Sequence, residues 1–174
     1  MNVMDLLAGL GGDSSLSKLG KQLNLGAKDT SSLVSSVGPA LLRGLQRNAA
    51  SSGGMDALTK ALRSGGHEKY LDQPDLMASA DAVTDGNKIL GHIFGSKDVS
   101  RNVAANAANS TGLDASMIKK ALPLLAGLAM GALSKKSNGG QSTGGGLTDL
   151  LGMAGGGDDG FGLDDVLDIA KKFF

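Results

Sequence analysis

Apolar residues recur along this chain at three- and four-residue spacing, which places them on one face of successive α-helices. Residues 3–10 make a short apolar turn of helix closed by Gly11 and Gly12. Leu16, Leu19 and Leu23 share the next face, on a helix that Asp13 can cap. Leu33, Val34, Val37, Leu41, Leu42 and Leu45 form a longer one, started by Asp29 or Thr30. Pro39 falls inside that pattern and predicts a kink or a break, because its ring fixes φ and removes a backbone donor. After a loop over 48–54, Met55, Leu58 and Leu62 mark a short helix. Residues 65–75 are polar and contain Pro74, the pattern of a surface loop with His67 solvated beside Glu68. Residues 76–83 read as a single helical turn. Ile89, Leu90, Ile93 and Phe94 then make a stripe on a helix over 88–94 that Gly95 ends. A helix from 97 to about 108, a turn at 110–113 and a long helix capped by Asp114 and ending near Lys135 complete the series.

The C-terminal quarter reads differently. Residues 137–162 are a Gly/Ser-rich linker with a short apolar segment at 147–153. Residues 163–174 have the spacing of a small amphipathic helix, with Leu163, Val166, Leu167, Ala170, Phe173 and Phe174 as its stripe. The chain also echoes itself. PALLRGL at 39–45 matches PLLAGL at 123–128 with one deletion, and each is preceded by a helix, a Gly-containing turn and an Asp. Two copies of a helix-turn-helix-like unit are expected, over about 13–64 and 85–136. The expected fold is therefore all-α: a multihelical array built from a duplicated unit over 1–136, with a Gly-rich flexible C-terminal region.

Composition narrows the core. Aromatics are 3% of residues and Trp is absent, so Leu, Ala, Val, Ile and Met must fill the interior, which suits closely packed helices. No Cys is present, which removes disulfides and thiolate metal sites and fits a cytoplasmic setting. No secretory signal or membrane-spanning segment is expected, since the longest apolar run, 121–133, is shorter than the about 20 residues a span needs. Net charge is zero but unevenly spread. Residues 88–136 hold seven Lys or Arg against two Asp, whereas 137–174 hold two Lys against six Asp. A basic centre beside an acidic tail invites contact between them.

Candidate chemistry is thin. The turn at 110–113 followed by DASMIKKAL has helix-turn-helix form, and Ser116, Lys119 and Lys120 could face DNA. Whole-chain neutrality and the apolar run beyond Pro123 favour a packing role for that turn. His92 lacks a second His or Cys at metal-ligand spacing and is expected buried, bonded to a backbone carbonyl. The Gly clusters lack the Lys-Ser or Lys-Thr of a phosphate cradle. Gly127 and Gly131 imply a close helix crossing. No catalytic, cofactor-binding or metal residue is assigned, and enzymatic activity is not expected.

The block ILGHIFG at 89–95, TGL at 111–113, LPLL at 122–125 and GAL at 131–133 closely resembles the YidB-like bacterial family, a domain of unknown function numbered 937. Gly38 to Leu42 and the Gly-rich DLLG tail are similar to it as well. This chain has Gly127 after Ala126 where the family pattern suggests a second Pro, implying a softer bend. The resemblance implies an all-helical bacterial protein without a known catalytic role, and it transfers no functional residues. The expected function is a non-catalytic protein-protein interaction or self-assembly module. Lys88, Lys97, Arg101, Lys119 and Lys120 are its candidate docking surface, and Leu163, Val166, Leu167, Phe173 and Phe174 its candidate docking helix. Partners would be the chain itself or another protein. A helix-turn-helix nucleic-acid-binding protein is the alternative.

Overall fold

A computed structural model describes residues 12–136, in which seven α-helices and one 3-10 turn occur and no strand. The helices are α1 (Gly12–Gln22), α2 (Ala27–Ala50), α3 (Gly54–Ser64), α4 (Lys69–Asp72), α5 (Ala80–Phe94), α6 (Lys97–Thr111) and α7 (Ala115–Lys136), with the 3-10 turn at Pro74–Ala78 between α4 and α5. The short apolar segments expected at 3–10 and 147–153, the linker and the amphipathic stripe of 163–174 lie outside the described residues.

The last helix is the centre. Every residue from 121 to 134 is buried, so α7 has no solvent face along that stretch. It contacts each of the other six helices, most extensively α5 and then α6. The surrounding helices are amphipathic and turn the expected faces toward it. Leu16 and Leu19 of α1, Leu33, Val34, Val37, Leu41 and Leu45 of α2, Leu58 and Leu62 of α3, and Ile89, Leu90 and Ile93 of α5 are all buried. Leu23, Leu42, Met55 and Phe94 pack at the margins of this core. By length and composition α7 could cross a membrane, with mean hydropathy 1.3 in the most apolar window of Ala115–Lys135. In this fold 78% of its most apolar window is enclosed by protein. That is what a helix without a polar face requires in water.

Several boundaries differ from expectation. α2 runs unbroken through Pro39 to Ala50, so neither a break at Pro39 nor a loop from 48 occurs. Pro39 and Ser35 are both exposed, and the Ser35 carbonyl left without its helical donor can face water. α5 begins at Ala80, well before Lys88, because Ser79 caps it by accepting from the Ala82 N–H at 3.2 Å. α6 continues to Thr111, and Gly112, at φ 75°, ends it. Asp114 opens α7 as expected, accepting from the Ser116 and Met117 N–H groups at 2.8 and 3.2 Å.

Close packing on α7 depends on missing side chains. A Cβ on Gly86 of α5 would overlap the Pro123 carbonyl of α7, and one on Gly131 would lie 2.6 Å from the His67 carbonyl oxygen. Gly127 is less confined, its nearest contact being the Tyr70 ring at 3.7 Å. Gly91, one and a half turns after Gly86, has nothing within 4 Å of such a Cβ. Opposite outcomes follow for the same substitution within one helix. Gly91→Ala should stabilise by up to about 1 kcal/mol, the helix-propensity gain. Gly86→Ala should destabilise by about 1–3 kcal/mol, because α5 must back away from α7. Urea denaturation midpoints of the two variants decide this; a raised midpoint for Gly86→Ala would contradict the crossing.

Candidate functional site

Two polar arrangements stand out on this apolar frame. The first is a groove of about 480 Å³ where α5, α6 and the start of α7 meet. Its geometry comes from two tight connections. Gly95, at φ 69°, ends α5, and Ser96 caps α6 by accepting from the Val99 N–H at 3.3 Å. The chain thus reverses in two residues and brings the first turns of α6 beside the second half of α5. At the other end, Asp114 caps the first turn of α7, and Lys119 in the following turn lines the groove.

Leu90 and Leu122 line the bottom of the groove, while Lys97, Arg101 and Lys119 line its sides. All three cations are exposed. Leu90 and Leu122 are only 6% and 2% exposed, so charge and the methylene stems of the basic residues contribute more binding surface than the floor does. Arg101 also pairs with Asp98 at 3.0 Å along α6. That pair is solvent-exposed and leaves the guanidinium available to a second carboxylate. Of the five basic residues expected to act together, the fold assembles these three. Lys88 and Lys120 are exposed but do not line the groove.

The helix-turn-helix form is present as α6, a three-residue turn and α7. Its second helix exposes Ser116, Lys119 and Lys120, then disappears into the core from residue 121 onward. A recognition helix in this arrangement could present little more than its first turn and a half.

The second arrangement is a polar strap formed by α4 and the residues leading into it. It was expected to be a solvated loop, but His67, Tyr70 and Leu71 are buried, at 6%, 2% and 5% exposure. The Tyr70 hydroxyl donates to Asp85 at 2.7 Å, and Lys69 lies 3.7 Å from the same carboxylate. The Ser134 hydroxyl donates to Glu68 at 2.5 Å, Lys135 pairs with Asp72, and the Ser15 hydroxyl donates to the Tyr70 carbonyl at 3.2 Å. The strap therefore ties α1, α5 and the end of α7 together. The GxxxG spacing of Gly127 and Gly131 receives this strap, not a second long helix.

Electrostatics give the strap a structural character. Burial, followed by the hydrogen bond to Asp85 and its charge, pushes the Tyr70 hydroxyl well above the usual phenol range. The same hydrogen bond holds the Asp85 carboxyl below its ordinary value. Burial lowers His67, and its Nδ1 has no hydrogen-bond partner among the described residues. His67 and Tyr70 are withdrawn from solvent and each is pushed toward its neutral form, which is a poor arrangement for acid-base catalysis. His92, expected buried, is exposed; its backbone carbonyl accepts from Asn48 Nδ2 at 2.8 Å and links α5 to α2. Among the described residues no group of three His, Asp or Glu is placed to hold a metal ion. Tyr70, Leu71 and Met77, three apolar residues in a polar stretch, were the signal for the strap.

Fold and site together define a helical bundle wound around one enclosed helix, with a basic groove at the beginning of that helix. The family profile described as "Bacterial protein of unknown function (DUF937)" matches residues 5–136, and the chain belongs to that family, the YidB-like one. No curated protein and no solved structure matches the chain. The matched region ends where α7 ends, so the acidic tail lies beyond it.

The buried histidine makes stability depend on pH. In the unfolded chain His67 titrates near its ordinary value of 6.5, and in the fold its proton is disfavoured. Between those two values the unfolded state binds more protons, so stability is full above 6.5 and falls as pH drops toward the folded value. Urea titrations from pH 7.5 to 5.5 should show a falling midpoint in the parent chain and a flatter one in His67→Phe. Equal slopes would remove His67 as the cause.

Proposed function

We propose that this protein is a non-catalytic interaction module of the cytoplasm whose basic groove receives an acidic amphipathic helix, and that its own C-terminal segment is such a ligand. The observation that carries this reading is the convergence of Lys97, Arg101 and Lys119 from two helices on one groove. Residues 158–174 offer the complement: five Asp against two Lys, with an apolar stripe at helical spacing. Complementary charge sets register and speeds encounter. A helix 12 residues long would extend about 18 Å.

The chain is also read here as an internal duplication, and the two turns support that. Asn24-Leu25-Gly26-Ala27 and Gly112-Leu113-Asp114-Ala115 each place a left-handed residue, at φ 56° and 75°, before a partly buried Leu, a cap and the first helical Ala. Pro39 follows Ala27 by 12 residues and Pro123 follows Ala115 by 8, so the first long helix carries about one extra turn. In either register, Ser occupies the position corresponding to Lys119 in the first copy. The basic groove would then be a specialisation of the second copy.

Nucleic acid remains the second reading, favoured by the exposure of Ser116, Lys119 and Lys120 on the first turns of α7. It ranks lower because the rest of α7 is enclosed, and neutralising several phosphates needs a broader basic face. Changing Lys119 and Lys120 to Glu would abolish a salt-dependent DNA affinity if this reading held.

The test is direct. A fluorescent peptide of residues 158–174 is titrated into a chain ending at Lys136. Saturable binding that weakens with salt is expected, and Lys97→Glu, Arg101→Glu and Lys119→Glu together should weaken it by about tenfold or more. Lys120→Glu should leave it nearly unchanged. Absence of binding to a folded chain, or loss equal to that of the triple variant from Lys120→Glu alone, would overturn the groove.

A further inference from the structure

We infer that residues 163–174 dock in the basic groove of their own molecule in preference to a neighbour's. This rests on the reading of the groove as a site for an acidic amphipathic helix, and it adds which copy of the ligand fills it.

Reach and concentration decide between a chain's own groove and a neighbour's. The tether starts where α7 ends, at Lys136, and Lys119 marks the groove, 17 residues back along the same helix. That separation is about 25 Å at 1.5 Å per residue. Residues 137–162 supply 26 residues of Gly/Ser-rich sequence. A coil of that length and composition has a root-mean-square span of about 28 Å. Span and separation match, which is where the effective concentration of a tethered ligand is highest, on the order of millimolar. At micromolar protein the molecule's own tail outcompetes a neighbour's by about a hundredfold or more. The signs agree as well: three cations line the groove, and Asp164, Asp165 and Asp168 lie on the side of the 163–174 pattern away from its apolar stripe.

The absence of Cys lets a pair of introduced cysteines report position without interference. In the full chain, Gly91→Cys places a thiol in the groove, at an exposed helical position where an added Cβ meets nothing. Lys172→Cys places the other on the polar side of the tail. Ser64→Cys is the control. It is the exposed last residue of α3, whose end lies beside the end of α7, the Ser134 hydroxyl being 3.4 Å from the Leu62 carbonyl oxygen. It is therefore closer to the root of the tether than the groove is.

At about 5 µM protein under mild oxidation, the Gly91→Cys/Lys172→Cys chain should form a disulfide within the monomer at least about tenfold faster than Ser64→Cys/Lys172→Cys. Adding Lys97→Glu, Arg101→Glu and Lys119→Glu to the first pair should remove most of that preference. An undocked tail would join Ser64→Cys as fast or faster, and that result overturns the inference. So does a predominance of covalent dimers, which would place the tail in a neighbour. Peptide binding in the truncated chain combined with either result refutes occupancy of the chain's own groove while leaving the groove's ligand class intact. Failure of peptide binding refutes the underlying reading.

Discussion

The enclosure of α7 is the constraint on which the rest of the fold depends. A helix with no polar face from residue 121 to 134 cannot be stable in water unless protein covers every side of it. Six further helices supply that cover, each presenting one apolar face and keeping its polar face outside. The requirement reaches down to single atoms. Gly86 lets α5 approach the Pro123 carbonyl, Gly131 admits the His67 carbonyl, and Ser134 is buried but satisfied by Glu68. Where α7 leaves the core, at residues 115–120, it has exposed polar residues again, and there the groove forms.

Function in this account follows from that transition. A core helix that emerges only at its first turns offers a short, rigid edge. The tight α5–α6 connection lays Lys97 and Arg101 alongside it, and Lys119 follows in the turn after the Asp114 cap. The result is a groove with a thin apolar floor and a strong positive rim, better suited to reading the charge of a helix than to enclosing a small molecule. The strap at the opposite end has the reverse character. Its polar groups bond mainly to neighbouring elements, and His67 and Tyr70 are withdrawn from solvent, so it joins α1, α5 and the end of α7.

Much of the fold was legible because burial follows helical spacing. The stripes at 16–19, 33–45, 58–62 and 89–93 all contribute to the observed core around α7. What failed to read shares a physical reason: the exposed or buried state of a single residue depends on its neighbours in space. On a helical wheel His92 lies about 100° from the centre of the Ile89–Leu90–Ile93 face, at its edge, and only the packing of α2 and α5 decides that it remains outside. His67 lies in a polar stretch, yet Tyr70 and Leu71 draw the segment onto α7 and carry His67 with them. Pro39 failed to break α2 because its missing bond faces solvent. The candidate site was legible in part. Lys97 and Arg101, four apart on one helix, necessarily share a face, but Lys119 joins them only through the turn at Gly112. Lys120 projects about 100° away from Lys119, and Lys88 lies well off the Leu90 face, so adjacency in sequence overstated the cluster.

Hydrogen exchange followed residue by residue tests the central claim most directly. If α7 is the element around which the others are wound, the amides of residues 121, 122 and 124–134 can open only when the whole bundle unfolds. They should be the slowest in the chain, with exchange free energies equal to that of global unfolding by urea, while α4 and the first turns of α6 and α7 exchange through cheaper openings. Exchange within 121–134 at a free energy well below the global value, or slower exchange in α5 than in α7, would contradict the account.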